Sequence, residues 1–246
     1  MQIETRPGLL LASAVWPQVA ERLAAGAPAL LPVGAACKQH GPHLPMHSDW
    51  LQAEWLARAL AERTSVVCWP TLGYGHYPAF TDYPGSISLS TETFTALVGD
   101  ILGGIRGAGA RRCLVLNTGI STIAPLRQAI QSASGFAALE LANVYAGPAY
   151  RRQETALAEQ ARGGHADELE TSILLAIAPE QVAMERAPDW SGQALRGAFS
   201  RGDASSPGYS PSGVYGNPRL ASAAKGRRLL AAMVEDLLAA LQRLDR

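Results

Sequence analysis

The sequence predicts an α/β fold, a mostly parallel sheet covered by helices, and three observations point there. Short apolar runs alternate with longer amphipathic segments over most of the chain. Several short runs, such as Ala29 to Ala35, carry no charge at all and read as buried strands. The 246 residues, 48% apolar and 17% charged, suffice for one large domain with a substantial core. Nothing marks a boundary between two domains, so residues 1–246 are read as one.

The elements follow in order. Ala29 to Ala35 is the first strand, and Trp50 to Arg63 a helix whose Leu51, Trp55, Leu56 and Leu60 recur at helical spacing. Ser65 to Trp69 is a second strand. A loop rich in Gly, Tyr and Pro precedes a helix that starts near Thr91, with Ser90 or Thr91 as its cap, and ends around Gly107 or Gly109. Cys113 to Asn117 is the third strand, Ser121 to Ser134 a helix and Ala138 to Tyr145 the fourth strand. Gly163 to Ala178 reads as a loop feeding a helix stopped by Pro179. Trp190 to Asn217, rich in Gly, Ser and Pro, has no sustained period; a loop of that length in a compact domain points to function or an oligomer contact. Arg219 to Leu244 is a long amphipathic helix that closes the fold.

Composition narrows the function. With 21 basic and 21 acidic residues the formal charge is zero, and no basic run marks a nucleic-acid or membrane surface. Small molecules are the expected partners. The three cysteines, Cys37, Cys68 and Cys113, sit in or beside β-like runs and read as free thiols of a reducing compartment. Met1 to Pro17 carries Glu4 and no basic leader, and no apolar run approaches membrane-spanning length, so a cytoplasmic protein is expected.

One stretch concentrates chemistry. Lys38-Gln39-His40-Gly41-Pro42-His43-Leu44-Pro45-Met46-His47-Ser48-Asp49 holds three of the five histidines and a carboxylate after a strand. Its glycine and prolines restrict the backbone, which suits a loop that must hold polar side chains in place. The plain reading is a surface turn, with Asp49 as a helix cap worth about 1 kcal/mol. Cys37, beside Lys38 and near His40, has surroundings that favour a thiolate, against the plainer reading of a small buried cysteine. Further on, His165 and Glu168 stand three apart; if the helix already covers them they share a face and could meet one substrate as acid and base. The acids Asp167, Glu168 and Glu170 also suit a helix start.

These residues resemble the creatininase family of metal-dependent amidohydrolases. Leu31-Pro32-Val33-Gly34, then Gln39-His40-Gly41-Pro42-His43-Leu44-Pro45 and Asp49, is similar to the family's Glu-Gln-His-Gly-Pro-His-Leu-Pro motif and its following Asp. Tyr83-Pro84-Gly85-Ser86 resembles its Phe-Pro-Gly-Thr turn, and His165-Ala166-Asp167-Glu168-Leu169-Glu170-Thr171-Ser172 its His-Ala-Gly-Glu-x-Glu-Thr-Ser motif. Gly213-Val214-Tyr215-Gly216 and Lys225-Gly226 match its C-terminal pattern. The resemblance implies a three-layer α/β/α domain, homo-oligomers that are often hexamers, and two divalent metals bridged by water.

Carried over position by position, the implied ligands are depleted. His40 and Asp49 are retained, but Lys38 stands in place of the motif's Glu, and Asn117-Thr118-Gly119-Ile120-Ser121 in place of an Asn-Gly-His segment with its acidic ligand. A family histidine before the Phe-Pro-Gly turn becomes Phe80, with His76 close by. One divalent ion (Zn, Mn or Fe) at most is expected, on His40 and Asp49 with a further group among Glu168, His165, His43 and His47; a metal-free site is the alternative. An ammonium offers no lone pair, so Lys38 is expected to pair with Asp49 and replace a metal's charge. His43 is expected to orient the loop rather than bind metal. Asn117, Thr118, Gly119 and Ser121 are expected to bind substrate, with His76 and Tyr77 as the pocket wall. The expected activity is hydrolysis of a non-peptide C–N bond in a small cyclic amide or related amide, with His165, Glu168 and Lys38 as catalytic residues. A descendant without catalysis, acting as a binding or scaffold protein or running another biosynthetic reaction, is the competing class.

Overall fold

A computed structural model of the chain describes residues 7–190 and 198–245. Its centre is a five-stranded sheet in the order β1-β3-β2-β4-β5, every pair parallel, formed by β1 (Leu9–Leu10), β2 (Ala29–Val33), β3 (Val67–Cys68), β4 (Arg112–Asn117) and β5 (Ala138–Asn143). Side chains alternate across a strand, and that alternation divides the core. Leu30, Leu114 and Leu116 face one way, onto α2 (Ser48–Ala61), α5 (Pro148–Leu157), α6 (Glu168–Ile177) and α7 (Ala223–Arg243). Ala29, Leu31, Val33, Cys113 and Val115 face the other, onto α1 (Trp16–Ala24), α3 (Thr91–Gly107) and α4 (Ile123–Ser132). The result is the expected three-layer α/β/α arrangement.

Local chemistry sets the helix starts. Ser90 Oγ accepts from Thr93 N (3.1 Å) and caps α3, and Ser222 Oγ accepts from Lys225 N (3.3 Å) at α7. Asp167 Oδ1 accepts from Leu169 N and Glu170 N, so α6 begins at Glu168 and His165 lies outside it. Strand β3 is two residues long, shorter than the Ser65 to Trp69 expected there. Two helices and a strand come where no period was assigned: β1, α1 and α5. In α1, Trp16 faces solvent at 80% exposure, which obscures the amphipathic pattern. Among the described residues no helix is long and apolar enough to cross a membrane. Part of the long loop, residues 191–197, lies outside the described residues.

The strand order reverses between β2 and β4, the place where open α/β sheets commonly bind ligands beyond the carboxyl ends of the strands. Thr118 N donates to Val33 O (3.1 Å), tying the two loops together at that point.

Candidate active site

Gln39 organises the loop after β2. Its N–H donates to Ser86 Oγ (3.0 Å), its Nε2 to Gly213 O (2.9 Å), its Oε1 accepts from Gly41 N (2.7 Å), and its carbonyl accepts from His165 Nε2 (2.9 Å). Four separated sequence motifs thus converge on one residue that sequence reasoning did not single out. Gly41 is required beside it: φ is +70°, and a Cβ there would come 3.0 Å from His43 Nδ1 and crowd Val214.

Lys38 and Asp49 form a buried ion pair, Nζ to Oδ2 2.6 Å, with side chains 7% and 0% exposed. Among the described residues no other donor reaches Oδ2, so the ammonium is its one partner. Burial works against ionised Asp49, but Lys38 and then His40 outweigh it and hold the carboxyl well below its ordinary range. The ammonium lies 4.9 Å from the centroid of Phe80 and 5.9 Å from that of Tyr77.

The two histidines are fixed from behind by carbonyls, which only accept. His40 Nδ1 therefore donates to Lys38 O (2.9 Å), which turns its Nε2 toward Asp49 Oδ1 (3.0 Å). His165 Nε2 donates to Gln39 O, leaving Nδ1 as an acceptor 3.6 Å from Glu170 Oε2. Burial, then the charges of Lys38 and His40, push the His165 imidazolium well below its ordinary pKa, so the ring is neutral. Burial raises Glu170, partly offset by His40 and Lys38. Glu170 Oε2 also accepts from Ala166 N (2.5 Å), and Ala166 adopts φ +48°, a left-handed conformation uncommon for alanine. That reversal folds Glu170 back toward His165. Phe80 (4.6 Å) and Phe199 (5.3 Å) cover the His165 ring.

The structure therefore brings together Lys38, His40, Asp49 and His165, and adds Glu170 where Glu168 was expected. Glu168 faces away. Its fully buried carboxylate accepts from Glu159 N (2.9 Å) and Gln160 N (2.8 Å) and pairs with Lys225 (2.5 Å). It shares no helix face with His165, because α6 has only begun at Glu168. Asp49 is not the cap of α2; it lies in the first turn, and His47 precedes the helix without a capping bond. The expected substrate donors after β4 are consumed by their own turn. Asn117 bonds Gly119 N and O and the Thr122 hydroxyl, and the Thr118 hydroxyl meets Val33 O and Asp49 O. Gly119 is buried, while Ser121 is partly exposed. His76 Nδ1 donates to Leu89 O (3.0 Å), whereas Tyr77 sits beside Lys38 with its buried hydroxyl unpartnered. His43 bonds the Thr171 hydroxyl (2.8 Å) across to α6, and Cys37 is a half-buried free thiol.

A cavity of about 130 Å³ reaches Glu170, lined also by Ile120, Tyr145, Tyr150, Arg151 and Leu169. A larger one, about 230 Å³, lies apart between Leu10 and Trp69; its thiol, Cys68, is pushed up to about 12 by burial and is inert at neutral pH.

The donor set fits one metal ion and not two. Ligand atoms of His40, His165 and Glu170 lie within 4.8 Å of one another, a three-donor set. A second ion would need donors that are missing: Lys38 is an ammonium paired to Asp49, and the Asn117 turn is closed on itself.

Residues 12–241 match a family model described as "Creatininase: Creatinine amidohydrolase". Over 226 residues the chain is 30% identical to the mycofactocin precursor peptide peptidase of Mycobacterium ulcerans (strain Agy99), covering 87% of this chain and 84% of that one. A mutant creatininase of Zn-Zn type shares the fold at TM-score 0.82 and 24% identity, over 97% of this chain and 98% of that chain. A mutant creatininase complexed with creatine does so at TM-score 0.80 and 23% identity, over 96% and 98%.

Proposed function

The chain belongs to the creatininase family, and from that premise we propose that it hydrolyses an amide C–N bond of a small substrate, with His165 and Glu170 carrying the proton. The observation that supports this most is the pair of imidazoles held by carbonyls so that an accepting nitrogen of His165 faces the Glu170 carboxylate. Buried lone pairs opposed in this way call for positive charge between them.

His165 Nδ1 takes the proton of an attacking water, and Glu170 stabilises the imidazolium until that proton passes to the leaving nitrogen. Gln39 O keeps the ring in the required tautomer, and Ala166 N–H keeps the carboxylate turned to it. The Lys38 ammonium, held against Asp49, Phe80 and Tyr77, does not line the cavity and acts on the site through its charge. One divalent ion, if bound, would be held by His40, His165 and Glu170; the His165 Nδ1 lone pair would then be committed to it, and the ion's supply of acidified water would replace proton acceptance by that nitrogen.

A cavity of about 130 Å³ is small beside the roughly 300 Å³ of a typical ligand pocket, which supports a small amide. A second reading has one observation behind it: the Mycobacterium ulcerans relative is named a peptide peptidase, so a peptide amide with one group seated in the cavity is the alternative. Turnover of a panel of cyclic amides and short peptides, by wild type and by His165→Ala and Glu170→Gln, tests both readings. Metal content of wild type and His40→Ala, purified without chelator, is measured alongside. Hydrolysis lost in either variant supports the reading. A folded wild type that cleaves no member of the panel would point instead to a binding or scaffold descendant.

A further inference from the structure

We infer that Lys38 is a resident cation standing in for one of the two metals of a Zn-Zn creatininase, so that this site binds one divalent ion at most and Asp49 is not a ligand. The inference rests on reading this cluster as the family's site, yet its test does not depend on turnover.

Four observations converge. Oδ2 of Asp49 is committed to Lys38 at 2.6 Å, and Oδ1 lies 3.0 Å from His40 Nε2, the one nitrogen that His40 could offer the single ion. Against the other side of the ammonium lie the faces of Phe80 and Tyr77, which attract a cation through their π-electrons but are not ligands for a hard divalent ion. Third, the loop after β4 has no donor to give. The Asn117 side chain closes its own turn, and at Gly119 a Cβ would come 2.7 Å from the Thr122 hydroxyl, so a ligating side chain there requires Thr122 to move. Finally, the charge balance suits a monovalent occupant. Lys38 neutralises an Asp49 side chain that is fully buried, so removing the ammonium leaves a bare buried carboxylate with an imidazole nitrogen beside it.

That last point supplies the test. Zinc stoichiometry and affinity are measured by calorimetric titration of the purified full-length chain, for wild type, Lys38→Glu and Lys38→Met. Wild type is expected to take up no more than one equivalent. Lys38→Glu, which adds a carboxylate donor and removes the cation, is expected to take up one equivalent more. Lys38→Met adds no donor but lifts the repulsion between ammonium and ion; tightest-site affinity should rise at least about tenfold, with measurable binding appearing where wild type shows none. Two equivalents on wild type would overturn the inference. So would Lys38→Glu at unchanged stoichiometry, or, if that variant does not fold, Lys38→Met at unchanged affinity. Failure of the hydrolysis assay with these metal results intact would remove the proposed activity and leave the resident cation standing.

Discussion

Replacing Glu168 by Gln separates a structural carboxylate from a catalytic one. In the structure Glu168 Oε2 accepts two backbone N–H groups, Glu159 at 2.9 Å and Gln160 at 2.8 Å, and Oε1 meets the Lys225 ammonium at 2.5 Å. Gln keeps an oxygen for the backbone donors but turns an NH2 toward the ammonium. Losing one partner of a buried ion pair costs roughly 3–5 kcal/mol. Lys225 is 13% exposed and keeps Leu220 O and the Glu159 carboxylate, so the lower end applies, about 3 kcal/mol. Burial lowers the lysine's pKa, and the Glu159 and Glu168 carboxylates outweigh it and raise the pKa in the wild type; of the two, Glu159 remains in the variant. At roughly 2–4 °C per kcal/mol for a chain of this size, the melting temperature should fall by about 6–12 °C. Equilibrium unfolding in urea should show a lower midpoint at unchanged slope. Lys225→Met should cost a similar amount, and the double variant less than the sum of the two. A Glu168→Gln protein that unfolds with wild type yet loses all turnover would refute this assignment and return Glu168 to the chemistry.

Two other outcomes follow from the same packing. Burial, then the charge of His40, depresses His43 from 6.5 to about 4; because the unfolded chain takes up the proton first, stability should fall as pH drops from about 6.5 to about 4, by at most about 3 kcal/mol. Denaturation midpoints across that range should lose this component in His43→Gln; an unaltered slope would contradict it. Gly226 lies where α7 crosses α6, and a Cβ would strike the backbone carbonyl of Ser172 and come 2.9 Å from the Ala176 Cβ. Gly226→Ala should therefore destabilise by about 2 kcal/mol despite a helix-propensity gain of about 1 kcal/mol, and a variant more stable than wild type would show that the helices separate freely.

What the sequence discloses is what depends on local order. Helix α2 follows from Leu56 and Leu60 at helical spacing, and β4 from an uncharged run, because buried faces impose a period on neighbouring residues. Glu170 is hidden for the opposite reason. Whether it or Glu168 meets His165 depends on a single left-handed residue, Ala166, which no periodicity reports. Asn117 and Thr118 look like free donors in sequence, yet their partners, Thr122 and Asp49, become neighbours only once β2 and β4 are paired. Gln39 illustrates the same limit: its contacts reach residues 47 to 174 positions away.

The convergence on Gln39 bears on how such a site changes over time. The Gln39 side-chain amide and its two flanking peptide groups suspend the loop from three segments, and none of these bonds involves Lys38 or Asp49. Residues such as Lys38 can therefore be exchanged for ones of opposite sign while the suspension keeps its shape. Within this frame, the tolerance for altered chemistry lies in the occupant, and the work of holding it lies in a neutral glutamine.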